Sequence, residues 1–242
     1  MGSRKKRGEG RSGLRRATGG WPAGPAAVAL CLALCAPLAA RAAGQSQSAP
    51  AKGAVVVYRK VFKSSSPEFT EIRIPESGPG TCDLRGLDEE PDPQELDISP
   101  MLREKIFALA GALHDFRNLS LDVRRRIANL GEKTFRYEKG GEINEVKFNY
   151  TINAKAGQLQ QIFEALAQEQ EDLAVLARRM KYDRLGVNEA LIQVENDVKQ
   201  KAVAQPERFL PLLEQIGADS HFLDIARQRA RALADTIRSG VR

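Results

Sequence analysis

The spacing of apolar residues changes along this chain of 242 residues, and the change limits the folds that it can adopt. Between residues 54 and 98 apolar side chains tend to recur at every second position, the period of a half-buried β-strand; Ile72 and Ile74 are an example. After Asn153 they recur every three or four residues, which is the period of an amphipathic helix. The pattern predicts a sheet-containing region followed by a purely helical one.

The sheet-containing region has signals for two groups of antiparallel strands. Up to four short strands with turns between them fill residues 54–98, which predicts a meander. Residues 133–151 predict a β-hairpin around Gly140-Gly141. The expected fold class is therefore α+β: an antiparallel β-meander plus a β-hairpin packed with helices, followed by an all-α helical-hairpin or bundle extension.

Two helices are expected between the meander and the hairpin. Ser99-Pro100 is typical of a helix start, because a capping hydroxyl precedes a proline in the first helical position. A second, short helix is expected before Gly131, with Val123, Ile127 and Leu130 facing inward and the glycine as its C-terminal cap.

The last third of the chain predicts helices near residues 156–181, 188–203, 206–216 and 221–238, with Gly186 as the first break. The helix 156–181 carries a stripe of large apolar residues at a and d positions, with Glu169 as the one exception. The next helix offers a shorter stripe, so we expect it to fold back and cover the first only in part. The outer end of the stripe is then free to contact a protein partner or a second copy of the chain; the candidate contact residues are Leu173, Leu176 and Met180.

The N-terminus has the features of a secretory signal peptide over residues 1–42. A basic start precedes an apolar run, Ala26 to Ala36, and the small residues Ala40 and Ala42 occupy the positions expected before a cleavage site. An uncleaved membrane anchor is the alternative, although the run is shorter than a membrane span and Pro37 interrupts it. Cleavage predicts a protein exported to the periplasm or the exterior, with a flexible tether over 43–53, a sheet domain over 54–153 and a helical region over 154–242.

Removing the signal peptide changes what the charge and the cysteines imply. The whole chain has a formal charge of +6, but residues 1–42 contain eight basic residues and one acid, a formal +7, which leaves −1 for the rest. A nearly neutral domain lacks the basic surface that nucleic acid requires, so no nucleic-acid partner is expected. Cys31 and Cys35 are lost with the signal peptide, and Cys82, on the apolar phase of its strand, is expected to be a buried core residue.

The sequence carries no recognised motif for catalysis or for cofactor binding. The sequence has no nucleophile elbow, zinc-protease helix, phosphate loop or dinucleotide fingerprint. Its two histidines, His114 and His221, lie 107 positions apart, and His114 is expected to end a helix near the negative end of the helix dipole. We therefore expect no catalytic, cofactor-binding or metal-binding residues.

A resemblance follows from the order of the predicted elements. Four strands and a helix, then a strand, a Gly-Gly turn, a strand and a helix, resemble small exported bacterial α+β domains to which no chemistry is assigned. The residues that carry the resemblance are Thr70 to Ile74, Leu96 to Phe116 and Thr134 to Leu166, within roughly residues 54–166. The resemblance implies a fold and a compartment, and the helices after residue 166 lie outside it.

Two functions of different classes are consistent with the sequence. The favoured one is a non-enzymatic exported interaction or structural protein that uses its C-terminal helices as a contact surface. The alternative is an exported hydrolase whose site is assembled from scattered Asp, Glu, Arg and His114 side chains, since such a site needs no contiguous motif. A cleft that holds acids together with His114 would favour the hydrolase.

Overall fold

A computed structural model describes residues 53–123 and 125–240 of the chain. The predicted signal peptide, with Ala40 and Ala42, and all but the last residue of the predicted tether lie outside the described residues. Within the described ranges, no helix combines the length and the apolar character that crossing a membrane requires.

The first part of the described chain forms one antiparallel sheet of six strands, in the spatial order β4-β3-β2-β1-β5-β6. The strands are β1 (Val55–Val61), β2 (Phe69–Pro75), β3 (Gly80–Arg85), β4 (Gln94–Leu96), β5 (Glu132–Lys139) and β6 (Glu142–Phe148). β1 is central and pairs with both β2 and β5, so the meander and the hairpin join into a single sheet. The β5–β6 turn places Gly140 and Gly141 at positive φ, as a tight hairpin turn requires.

In the residues that the structure describes, five α-helices accompany the sheet, and the fold is α+β with a C-terminal helical extension, as the sequence predicts. They are α1 (Pro100–Ala112), α2 (Ala154–Tyr182), α3 (Val187–Lys199), α4 (Leu210–Ala218) and α5 (Asp224–Arg238), and a 3₁₀ turn (Pro206–Phe209) leads into α4. Ser99 caps α1 by accepting a hydrogen bond from the Leu102 N–H. Asn153 caps α2 by accepting bonds from the N–H groups of Lys155 and Ala156.

An aromatic cluster lies between one face of the sheet and α2. The ring of Phe135 lies 5.7 Å from that of Tyr58, 5.3 Å from Phe116 and 5.1 Å from Phe148. Phe163 of α2 stacks on Tyr58 with a centroid separation of 5.2 Å. These contacts fix the N-terminal half of α2 on the sheet.

The C-terminal half of α2 packs instead into a second core with α3, α4 and α5. Leu176, Leu191 and Phe209 are fully buried there, together with Leu213 and Ile216. The predicted return of α3 onto α2 is confirmed, because Leu191, Val194 and Val198 all belong to this core.

The prediction of a short helix before Gly131 is wrong. Residues 117–131 contain no helix among the described positions, and Leu130 is exposed. The side chain of Asn149 accepts a hydrogen bond from the Leu130 N–H and donates one to the Ala128 carbonyl, which satisfies the loop backbone without a helix. Gly131 has a φ of +89°, but it leads into β5 rather than ending a helix.

The other helical boundaries differ by a few residues from the prediction. α3 ends at Lys199 rather than near 203, and α5 begins at Asp224 rather than near 221. Residues 206–209 form the 3₁₀ turn, and the α-helix of that segment starts at Leu210.

Candidate functional site

The hairpin formed by α2 and α3 turns at residues Asp183–Gly186. The Gly186 N–H donates to the carbonyl and to a side-chain oxygen of Asp183. Asp183 also forms an ion pair with Arg179, one helical turn earlier. A β-carbon added at position 186 would overlap the side chains of Arg179 and Asp183, so glycine suits this position.

Two large apolar side chains are exposed where the hairpin turns. Tyr182 is 73% exposed and Leu185 is 75% exposed. Lys181 and Arg184, on either side of Tyr182, are also exposed, and the Lys181 Nζ lies 5.0 Å from the centre of the Tyr182 ring. We call Lys181, Tyr182, Arg184 and Leu185 the hairpin tip; it combines an apolar centre with a positive charge.

The contact residues that the sequence suggests lie inward of this tip. Leu176 is fully buried, and Leu173 and Met180 are partly buried against the second core. The stripe of α2 is thus covered within the chain at Leu176, while Leu173 and Met180 keep part of their surface. Sequence reasoning missed Tyr182 and Leu185, because neither follows the heptad positions that it used; two large apolar residues beside a helix-breaking glycine were the available signal.

Glu169, the exception in the stripe, is the centre of a buried polar network. Its side chain is fully buried, and Oε1 lies 2.7 Å from Nη1 of Arg208. Oε2 accepts hydrogen bonds from the N–H groups of Ala204, at 3.1 Å, and Gln205, at 2.6 Å. Burial raises the pKa of Glu169, against the opposing effects of the Arg208 guanidinium and the two backbone donors.

Gln205 extends this network to the sheet. Its side-chain amide donates to the Asp97 carbonyl at 3.0 Å, and its amide oxygen accepts from the Ser99 N–H at 2.7 Å. Asp97 and Ser99 connect β4 to α1, so one glutamine joins the helical region to the sheet. The network fixes the position of the helices relative to the sheet.

A cleft lies between the sheet and α2, and it holds several acids. Two adjoining cavities of about 610 and 230 Å³ share Ser65, Ser66, Pro67, Leu84 and Glu171 in their walls. The acidic residues that line them are Glu68, Glu89, Asp92, Glu164 and Glu171. No histidine is among their lining residues.

The histidines lie elsewhere on the surface. His114 is exposed in the 3₁₀ turn that follows α1, with a positive φ of 56°. His221 is exposed between α4 and α5, where Nδ1 lies 2.7 Å from Oδ1 of Asp219. In the described part of the chain, neither histidine joins the acids of the cleft.

Cys82 also contributes to the wall of the larger cavity. It is 1% exposed and belongs to the core under the sheet. Burial raises the pKa of the Cys82 thiol to about 12, and the neighbouring Asp83 carboxylate adds to the increase. Burial and a raised pKa both keep this thiol protonated and disfavour it as a nucleophile at neutral pH.

No protein-family model matches the chain, and no curated protein matches it.

Proposed function

We propose that this chain is an exported, non-enzymatic interaction protein whose sheet region is the rigid body and whose helices provide the contact surface. The hairpin tip is the point of contact. The observation that carries the proposal is the pair Tyr182 and Leu185, both about three-quarters exposed at the end of a rigid helical hairpin. The basic, apolar and small-residue segments of residues 1–42 support export.

The surroundings of the tip support a contact role over an accidental exposure. Single exposed apolar residues are common on protein surfaces, but two large ones within one short turn are a candidate binding patch. The network around Glu169 and Gln205 holds the hairpin in a fixed direction, so the tip is presented without a large loss of conformational freedom on binding.

The charge of the tip specifies the kind of partner. Residues 178–185 contain four basic side chains and one acid. Two copies of the same tip would repel each other, so a symmetric tip-to-tip dimer is disfavoured. The partner that fits is a protein with an acidic surface around an apolar pocket that receives Tyr182 and Leu185.

Binding by tip variants tests this proposal. The wild type and the double variant Tyr182→Ser, Leu185→Ser are each immobilised and exposed to an extract of the host envelope. We expect the wild type to retain an envelope protein that the double variant does not retain. Met101→Ser is the matched control, because Met101 is 81% exposed on α1 and lies outside the tip. Retention by all three proteins, or by none, would contradict the proposal.

Self-association is measured separately. Sedimentation velocity of the wild type and of the tip variant shows whether a second copy is the partner, through a contact between the tip and another surface. Self-association that the tip substitutions leave unchanged would place the contact elsewhere.

A further inference from the structure

Two carboxyl groups face each other inside the interface between α2 and α3. Asp172 of α2 is 5% exposed and Asp197 of α3 is 8% exposed, and the two carboxyl groups are within hydrogen-bonding reach of each other. The Nε2 of Gln168 donates to Asp172 Oδ1 at 3.0 Å, and the Nε2 of Gln193 donates to Asp197 Oδ2 at 2.7 Å. Each acid is thus held by a glutamine one helical turn earlier, and the two acids are fixed against one another.

The second oxygen of Asp172 gives independent evidence that this pair of carboxyl groups holds a proton. Asp172 Oδ2 has no hydrogen-bond donor among the described residues, although the side chain is almost completely buried. A buried acceptor without a donor is unfavourable, and two ionised carboxylates in contact repel each other. A single proton held between Asp172 and Asp197 removes both costs, because one carboxyl then donates to the other.

The charges on the packed elements do not replace that proton. Arg208, from the 3₁₀ turn before α4, is bound to Glu169. Arg229, from α5, is bound to Glu195 on a different part of α3. Lys201, in the loop after α3, is exposed.

We propose that Asp172 and Asp197 form a shared-proton site that makes the α2–α3 hairpin sensitive to pH. With one proton in the pair, α3 is held against α2. Loss of that proton leaves two negative charges in the buried interface and loosens the hairpin. This inference does not rest on the proposed tip contact, and thermal unfolding tests it without any partner.

The titration of Asp172 gives the pH window. Burial raises the pKa of Asp172 from 3.8 to about 7; the hydrogen bond from Gln168 opposes this increase, and the charges of Asp197 and Glu171 add to it. Because the folded pKa lies above the unfolded one, the folded protein binds more protons than the unfolded chain between these two values. Stability is therefore highest below about pH 4 for this group and falls as the pH rises toward 7.

Thermal unfolding of the purified protein between pH 5 and pH 8 tests the site. For the wild type, this group should lower the Tm by roughly 5–10 °C across that range. Asp172→Asn keeps a donor for Asp197 but cannot lose a proton, so its decline should be much smaller and its Tm at pH 8 should exceed that of the wild type. Asp197→Asn is the reciprocal variant, with the same smaller decline expected.

A matched control separates the pair from a general loss of acid groups. Glu189→Gln removes an acid from the same helix, where its side chain is 80% exposed, and should follow the wild-type decline. The proposal is overturned if both asparagine variants decline in parallel with the wild type. It is also overturned if added calcium raises the wild-type Tm at pH 8 but not that of Asp172→Asn, because the pair would then be a metal site.

Discussion

Glu169 lies in the middle of the apolar stripe of α2, where a charged residue has to be paired to be tolerated. Glu169→Ala would leave Arg208 and the N–H groups of Ala204 and Gln205 without their acceptor. We expect the free energy of unfolding, measured in urea, to fall by about 3–5 kcal/mol, the range for breaking a buried ion pair.

The control for this substitution is an ion pair on the surface. Glu214 pairs with Arg238 at 2.6 Å, but both side chains are about half exposed, so Glu214→Ala should change the stability little. Equal effects of Glu169→Ala and Glu214→Ala would mean that the buried network does not hold the helical region in place.

Cys82 is a second residue whose behaviour follows from burial. The described structure places the thiol in the core with a raised pKa, so iodoacetamide should modify it slowly in the native protein and quickly in denaturant. Cys82→Ser should lower the free energy of unfolding by about 1–3 kcal/mol, the cost of burying a hydroxyl without a hydrogen-bond partner. Rapid native alkylation, or a change in Tm on adding a reductant to the wild type, would contradict this account.

At the scale of single elements, Gly131 decides how β5 begins. Its φ is +89°, and a β-carbon there would lie 2.7 Å from the Cβ of Phe62. Gly131→Ala should therefore destabilise the sheet by more than 1 kcal/mol, through backbone strain and overlap together. Gly157→Ala is the matched control: a β-carbon there has open space on α2, so this substitution should raise the Tm slightly, as the higher helix propensity of alanine requires.

The sequence predicts best those elements in which apolar residues recur at a regular spacing. The alternation in β2 and in the β5–β6 hairpin, and the Ser99 and Asn153 caps, give those elements directly, because each depends on neighbours within a few residues. The apolar residues of the loop at 117–131 have helical spacing, and this spacing alone predicts a helix that the structure does not contain among its described positions. Its real conformation depends on Asn149, at the end of β6, which no local pattern around residue 130 contains.

The same reasoning explains what was missed in the candidate site. Asp197 and Arg208 are distant in sequence from Asp172 and Glu169, and only the return of α3 and the 3₁₀ turn brings them to α2. Glu169 was visible as a break in the stripe, but its partners were not. Tyr182 and Leu185 became notable only when their exposure was known.

At the scale of the whole molecule, the structure links a sheet region and a helical region through one long helix and one polar network. The first half of α2 packs on the sheet and the second half in the helical core. We expect residues 53–240 to unfold in urea as one cooperative unit. Far-ultraviolet circular dichroism, which reports the helices, and near-ultraviolet circular dichroism, which reports the Tyr and Phe rings of the aromatic cluster, should then give the same midpoint. Two separate midpoints would show that the helical region is an independent domain.

The most direct test of the central claim, that the hairpin tip contacts a protein partner, is site-specific photo-crosslinking in the native host. A photoreactive phenylalanine derivative replaces Leu185 in one strain and Met101, which is similarly exposed on α1, in another. The account predicts a light-dependent adduct of defined mass from position 185 and none from position 101. The absence of an adduct at 185, or the same adduct from both positions, would contradict it.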